Sequence, residues 1–315
     1  MTYLLRRLWH AALVLVVVCC VTFFVVRLAP GGPSLLADPK LTAPERVAIE
    51  ARLGLDRSLP EQFARFAAGA LRGDLGVSFL YGTPVVEVIA SRLPGTLLLA
   101  GSALLLTALI AVPLGLICGM QPGSRLDQAL SALSMVLVAV PVFWLALMLI
   151  IAFAVTLHWL PAGGMNTPGQ EGEVLDTLRH LLLPTVVLAG ATVAEVLRYT
   201  RSSALSVRAM DYVRTARAKG VGPGRVLYKH VLRNALLPVL TALGLQLPRL
   251  VGGAAVTETL FAWPGMGRLS VEAALGRDYP LIVAITLTVA LAVVLFNLLI
   301  DLLYPWIDPR VRGEG

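Results

Sequence analysis

The sequence predicts an all-α polytopic membrane protein with six transmembrane helices, because it is apolar and its few charges are bunched. Of its 315 residues, 57% are hydrophobic and 14% are charged, against about 25% charged residues in an ordinary soluble domain. A bilayer is crossed by about 20 apolar residues. Four uncharged runs reach or approach that length, and they are Leu8–Val26, Leu93–Ser124, Gln128–Gln170 and Tyr279–Ile300. Gln128–Gln170 is also several times longer than a membrane barrel strand of about 10 residues, so a barrel is excluded.

Six spans fit the sequence, four of them at these uncharged runs, and they divide the chain. The predicted spans are about 8–28, 96–118, 129–157, 181–200, 235–257 and 280–302. The first is interpreted as a retained N-terminal transmembrane helix (1–28), because its apolar run is longer than the roughly 7–15 residues of a signal peptide. We expect 29–95 to be an extracytoplasmic segment of short helices. The remainder, 96–315, is predicted to be a five-helix core with a long loop at 202–234.

The distribution of Lys and Arg gives the orientation. Most of those in short loops lie on the side that carries both termini, which the positive-inside rule makes cytoplasmic. The net charge of +7 is thereby explained. Nucleic-acid binding, the usual suspicion for a basic chain, has no folded soluble domain to carry it. Cys19, Cys20 and Cys118 all fall within apolar segments and predict no metal site.

The loop Ser202–Arg233 is too long and too basic to be a simple connector. It predicts a short helix over 211–220 that ends at a glycine, then a sharp turn and a second helical run. One interpretation is a positive-inside loop attracted to anionic membrane lipid. The small uncharged residues Thr215, Ala216 and Gly220 instead favour a close approach by a partner protein.

The loop and a series of further motifs resemble one family. The stretch Asp211–Leu240 resembles the coupling loop of bacterial ABC-importer permeases, specifically those of the dipeptide, oligopeptide and nickel branch. The other resembling motifs occur in the family's order, and they are RLAPGGP (27–33), LGLDRSLPEQF (53–63), GDLGVS (73–78), RLPGTLLLA (92–100), VPLGL (112–116), PVFWLALMLI (141–150), LPAGG (160–164), ETLFAWPGMGRL (258–269), RDYPLI (277–282) and NLLIDLLYPWIDPRVR (297–312). The chain departs from the general importer loop in having Arg214-Thr215-Ala216 where Glu-Ala-Ala is usual.

The resemblance implies a type I ABC importer fold in the bacterial inner membrane and a transport subunit without catalytic residues. The expected partners are a second homologous permease in a heterodimer, two ATP-binding subunits and an extracytoplasmic solute-binding protein. ATP and Mg²⁺ are expected on the ATP-binding subunits, and no cofactor on this chain, which lacks a phosphate-binding loop motif. The cytoplasmic helix would dock on an ATP-binding subunit. The residues expected to couple it are Asp211, Tyr212, Arg214, Thr215, Ala216, Arg217, Lys219 and Gly220.

The expected cargo is short peptides, with nickel or a metal chelate as the alternative within the same machine. The four histidines do not cluster in the sequence, so no metal ligands are predicted. A secondary transporter is the remote alternative, since the spans lack mid-membrane carboxylates apart from Glu195 near one face.

Two further groups of residues are candidates for a role in transport. Arg249 and Glu195 are ionisable residues within predicted spans and so are candidates for the translocation pathway. For Arg249 the alternative is snorkelling, and for Glu195 it is a pair with Arg198. The motif ETLFAWPGMGRL resembles the family's outer gate or binding-protein contact, although Trp263 also suits an interfacial anchor. Its candidate residues are Glu258, Trp263, Pro264 and Gly265.

Overall fold

The computed structural model describes residues 2–30, 32–33, 36, 40–232, 234–235, 239–240, 242–244, 246, 250 and 254–307. Helices account for most of these residues. In chain order they are α1 (Thr2–Leu28), α2 (Ala43–Leu53), α3 (Leu59–Ala70), α4 (Val85–Met120), α5 (Arg125–Ala139), α6 (Val142–Leu149), π1 (Ile150–Thr156), α7 (Val174–Arg208), α8 (Asp211–Ala218), α9 (Pro223–Arg225), π2 (Val226–Leu232), α10 (Ala255–Leu260), α11 (Met266–Leu275) and α12 (Tyr279–Ile307).

The helical membrane fold is confirmed. Within the described ranges, α1, α4, α7 and α12 are long and apolar enough to cross a membrane, and they include the predicted spans 1, 2, 4 and 6. Helix α4 begins at Val85 and α7 at Val174, so both start well before the predicted spans. The predicted span 235–257 lies largely outside the described residues, and the count of six therefore stays a prediction.

The third predicted span is broken, where the sequence pattern suggested one helix over 129–157. Helix α5 ends at Ala139, and the pair Arg125–Ala139 and Val142–Thr156 is bent by 101°. Val140 is extended, with φ −73° and ψ 125°, and Pro141 then opens α6 as its N-cap residue. The reason is local, because the proline ring disfavours the helical conformation of the residue before it.

Two compact units make up the chain, and each has its own core. The first comprises Met1–Thr96 and Pro264–Leu295. Its core joins the start of α4 to α11 and α12 through Val85, Met266 and Leu281, all essentially inaccessible to solvent. Segment 29–95 contributes the short helices α2 and α3, as expected, and Phe63 of α3 packs on Phe23 of α1 with ring centroids 5.3 Å apart.

The second unit comprises Leu97–Trp263 and Phe296–Gly315. Here α4 and α7 approach each other at backbone distance. A Cβ atom added to Gly115 would lie 2.8 Å from the Leu197 carbonyl oxygen, and one added to Gly119 would lie 2.8 Å from the Arg201 carbonyl oxygen. Two glycines four residues apart on one helix are typical of close helix packing in membranes. The motif VPLGL contains the first of them.

Candidate coupling site

Helix α8 occupies the place at which the sequence predicts the coupling helix. It follows α7 after only two residues, and Met210 is its N-cap residue. Asp211 lies in its first turn and Arg217 in its last, so each charge interacts favourably with the helix dipole. The Thr215 hydroxyl donates to the Asp211 carbonyl oxygen at 2.9 Å, within the helix.

One face of α8 is packed into the second unit. Val213 is fully buried and Ala216 nearly so. Val213 belongs to a buried cluster with residues of α4, α7, π2 and the segment after π2, and its other buried members are Leu116, Ala204, Val207, Val226, Val231 and Ala235. Ala216 therefore contributes to the packing beneath the helix and is not part of its free surface.

The remaining surface of α8 and of the residue that caps it is exposed and basic. Arg214, Arg217 and Lys219 all extend into solvent. The single acid, Asp211, lies 3.7 Å from Arg214 with both side chains more than three-quarters exposed, so the pair adds little stability. An exposed basic face on a helix anchored by apolar residues is suited to bind an acidic or polar groove of another protein.

The helix is followed by a tight glycine turn. Gly220 has φ +75°, a left-handed conformation that costs other L-residues about 1–2 kcal/mol. Its N–H donates to the Arg217 carbonyl oxygen at 2.9 Å, which closes the turn. A Cβ atom at Gly220 would meet no atom within 4 Å. The glycine is therefore required by backbone conformation and not by crowding within the chain.

Tyr212 joins the beginning of the loop to its end. The Asn234 side-chain amide donates to the Tyr212 hydroxyl at 3.0 Å, across 22 positions of sequence. The bond thus brings the two ends of the loop together on the second unit. All eight predicted coupling residues lie in this loop or directly on α8, and their role stays a prediction.

The other candidate residues are not gathered at this site. Glu195 is exposed on α7, and Arg249 lies outside the described residues. Glu258 and Trp263 are fully inaccessible to solvent and Gly265 is buried, while Pro264 is half-buried. A completely buried Trp263 does not reach a membrane interface in this conformation, so the structure contradicts its role as an interfacial anchor. A gate function for this group stays a prediction.

The buried motifs instead form two junctions. In the Phe261 junction, the Gly164 N–H of LPAGG donates to the Phe261 carbonyl oxygen at 2.8 Å, and a Cβ atom on Gly163 would lie 2.6 Å from that oxygen. In the Asp278 junction, the buried Asp278 carboxylate accepts from the Ser78 hydroxyl at 2.5 Å and from backbone N–H groups of Leu80 and Leu281 at 3.0 and 3.2 Å. Motifs far apart in sequence are thus paired in space.

Among residues that the sequence analysis did not single out, Asp127 and Arg201 stand out. They form a two-pronged ion pair between α5 and α7, with Asp127 almost entirely buried. In the sequence, each residue is only a charge at the margin of an apolar run. Such a signal does not predict that the two side chains form a pair.

Within the described parts of the chain, no group of three or more His, Cys, Asp or Glu side chains is placed to hold a metal ion. Helix α8 is thus exposed on one side, and on the other it packs against α7 and π2.

Comparison with protein families identifies the chain. A family model described as "Binding-protein-dependent transport system inner membrane component" matches residues 111–313. A second model, for the N-terminal part of such membrane components, matches residues 1–100. The chain belongs to this family. The resemblance deduced from the motifs is thereby confirmed over nearly the whole length.

Known permeases align with this chain over nearly its whole length. The oligopeptide transport system permease protein AppB of Bacillus subtilis (strain 168) is 42% identical over 312 residues, which are 98% of this chain and 99% of that protein. The dipeptide transport system permease protein DppB of Escherichia coli (strain K12) is 36% identical over 337 residues, covering 99% of each. This family member is therefore an ABC-importer permease subunit and not an enzyme.

Solved structures support the fold. The inward-facing MetNI methionine ABC transporter matches 71% of this chain and 97% of its own with a TM-score of 0.58 at 18% identity. An amino acid ABC transporter matches 70% and 94% with a TM-score of 0.51 at 17% identity. Membership of this family implies, in general, a membrane location and partnership with ATP-binding subunits and a solute-binding protein.

Proposed function

We propose that this permease moves short peptides into the cytoplasm and that α8 couples it to ATP hydrolysis on separate subunits. The observation that carries the coupling role is the two-sided character of α8. Val213 and Ala216 anchor the helix in the second unit, while Arg214, Arg217 and Lys219 are left exposed. The peptide cargo is supported by the relatives AppB and DppB, whose names specify oligopeptide and dipeptide transport.

The proposed complex contains this chain, a second homologous permease in a heterodimer, two ATP-binding subunits and an extracytoplasmic binding protein. ATP and Mg²⁺ bind the ATP-binding subunits. Both termini of this chain and the loop around α8 are cytoplasmic, as the excess of Lys and Arg in the loops on that side requires. The ATP-binding pair shifts the permease between two conformations to the extent that it binds them with different affinity.

The cargo is tested in proteoliposomes that contain the complete complex, co-purified through a tag on this chain. Labelled di- and tripeptides, oligopeptides and nickel with a chelator are supplied in turn with the cognate binding protein. We expect uptake of a peptide that requires both ATP and the binding protein. Uptake of nickel alone would replace the peptide assignment by a metal one. ATP-independent uptake by the chain purified alone would overturn the proposed function.

The coupling role is tested at the glycine turn. Gly220→Arg places a bulky side chain on a strained backbone next to the docking face, and we expect ATP hydrolysis to persist while uptake is lost. Gly222→Arg is the matched control, because Gly222 is also exposed and has open space around it but does not have a left-handed φ. Gly220→Asn should retain most uptake, since Asn tolerates the left-handed conformation. Equal loss in all three variants would contradict the specific role of this turn.

A further inference from the structure

The ion pair between Asp127 and Arg201 joins the beginning of α5 to the last third of α7. Arg201 Nε donates to Asp127 Oδ1 at 2.5 Å, and Nη2 donates to Oδ2 at 2.9 Å. The Asp127 side chain is 4% exposed and that of Arg201 is 31% exposed. Two parallel charge-assisted bonds fix both distance and orientation, which a single lysine contact does not.

Asp127 is itself held in place by the turn that precedes α5. Its Oδ2 accepts from the Gly123 N–H at 2.8 Å, and its own N–H donates to the Ser124 hydroxyl, the N-cap of α5, at 3.2 Å. The carboxylate lies in the first turn of the helix, where the dipole favours a negative charge. The pair therefore connects the turn, α5 and α7 as one assembly.

On α7, the ion pair lies where α4 also makes its closest approach. Gly119 of α4 faces the Arg201 carbonyl oxygen and the Ala204 side chain, at 2.8 and 2.5 Å from an added Cβ atom. The end of α7 is thus held by α4 through backbone contact and by α5 through the ion pair. Val213 of α8, which contacts α7, belongs to the same buried cluster as Ala204 and Val207 of this stretch.

Displacement of α8 by a partner must consequently move the end of α7, and Arg201 makes α5 move with it. Helix α5 continues to the break at Val140 and Pro141, where the span changes direction by 101°. Resting on the coupling role proposed above, we propose that Asp127 and Arg201 are positioning residues that transmit movement of α8 to the broken span α5–α6. The exposed pair of Asp211 and Arg214 has no comparable constraint.

The functional test uses the complete complex. Asp127→Asn keeps the shape of the side chain but removes its charge, and Arg201→Lys keeps the charge but removes the fork. In both we expect ATP hydrolysis to continue while uptake per ATP falls about fivefold or more, as loss of a charge-assisted bond predicts. Arg198→Lys is the matched control, since Arg198 is an exposed arginine one turn earlier on the same helix. Unchanged uptake per ATP in both pair variants would overturn the proposal.

A second readout does not depend on transport. Spin labels at Ala129→Cys and Ser202→Cys, both exposed positions, report the distance between α5 and α7 in a complex in which the three native cysteines of this chain are replaced and the other subunits are free of reactive cysteines. We expect a narrow distance distribution with the native pair and a broader one with Asp127→Asn or Arg201→Lys. A narrow distribution in every variant would refute joint movement. Absence of ATP-driven uptake by the unmodified complex would instead count against the proposed function, and the label distances would still decide this inference.

Discussion

The coupling loop and the two motif junctions carry equally recognisable family motifs, but they differ in where their functional groups point. On α8, Arg214, Arg217 and Lys219 are exposed and have few constraints within the chain. In the Asp278 and Phe261 junctions, the carboxylate and the carbonyl oxygen are buried and engaged in hydrogen bonds. A motif in this chain therefore has one of two physical meanings. An exposed motif is accessible to another protein, whereas a buried motif holds two segments of the same chain together.

This difference predicts different consequences for mutation. A change in a buried junction removes partners from groups that water cannot reach, so it lowers the stability of the chain. A change on the exposed face of α8 leaves the fold intact and alters only what the partner binds. Substitutions in the buried junctions should hence lower stability, whereas substitutions on the exposed surface of α8 should impair coupling without lowering stability.

Among the substitutions that test this comparison, Asp278→Ala should have the largest effect on the stability of the chain. The substitution leaves the Ser78 hydroxyl and the Leu80 and Leu281 N–H groups without their acceptor, each at a cost of about 1–3 kcal/mol when it stays buried. We expect a lower unfolding temperature of the detergent-solubilised complex and a low yield. Asp74→Ala is the control, because Asp74 is exposed and accepts a single bond, from the Gly76 N–H. Equal stability of the two variants would show that the Asp278 junction does not support the fold.

Gly163→Ala should have the next largest effect. The added methyl group would lie 2.6 Å from the Phe261 carbonyl oxygen, so the loop and the turn after α10 must separate. Overpacking of this kind costs about 1–3 kcal/mol, measurable as a lower unfolding temperature. Gly101→Ala on α4 is the matched control, since an added Cβ atom there meets nothing within 4 Å. If Gly163→Ala were as stable as Gly101→Ala, close approach at the Phe261 junction would be unimportant.

The same distinction between exposed and buried motifs explains how much of the fold and of the site could be predicted from the sequence. Charge-free runs were sufficient to predict α1, α4 and α12, because hydrophobicity alone selects helices that span a bilayer. The span in α7 was predicted from a shorter charge-free stretch, 181–194, which ends before Glu195. They could not show the break at Val140, since the apolar pattern continues through it and only Pro141 marks the site. For the candidate site, the glycine at 220 and the cations of α8 were apparent in the sequence. Which side of α8 is buried was not, because that depends on contacts with α4 and π2.

Buried pairings were the least predictable feature. Asp127 and Arg201 are 74 positions apart, and Ser78 and Asp278 are 200 apart. Each residue alone resembles an ordinary polar residue near the margin of an apolar segment, and its neighbours in sequence do not indicate its partner. Only the folded chain brings the partners within hydrogen-bond distance, so the functional inference about Asp127 could not precede the structure.

Reversing charges on the exposed face should have the smallest effect on the chain and a selective effect on coupling. Arg217→Glu places an acid where the helix dipole and the proposed partner both favour a cation, but the side chain is exposed. An exposed charge contributes about 0–1 kcal/mol, so up to roughly a fivefold loss of affinity for the ATP-binding subunits is expected. Titration of the permease pair with those subunits, at low and at high salt, measures it. Because salt screens exposed charges, the difference from the native chain should shrink at high salt. A salt-independent loss, or a lowered unfolding temperature, would place Arg217 with the buried motifs.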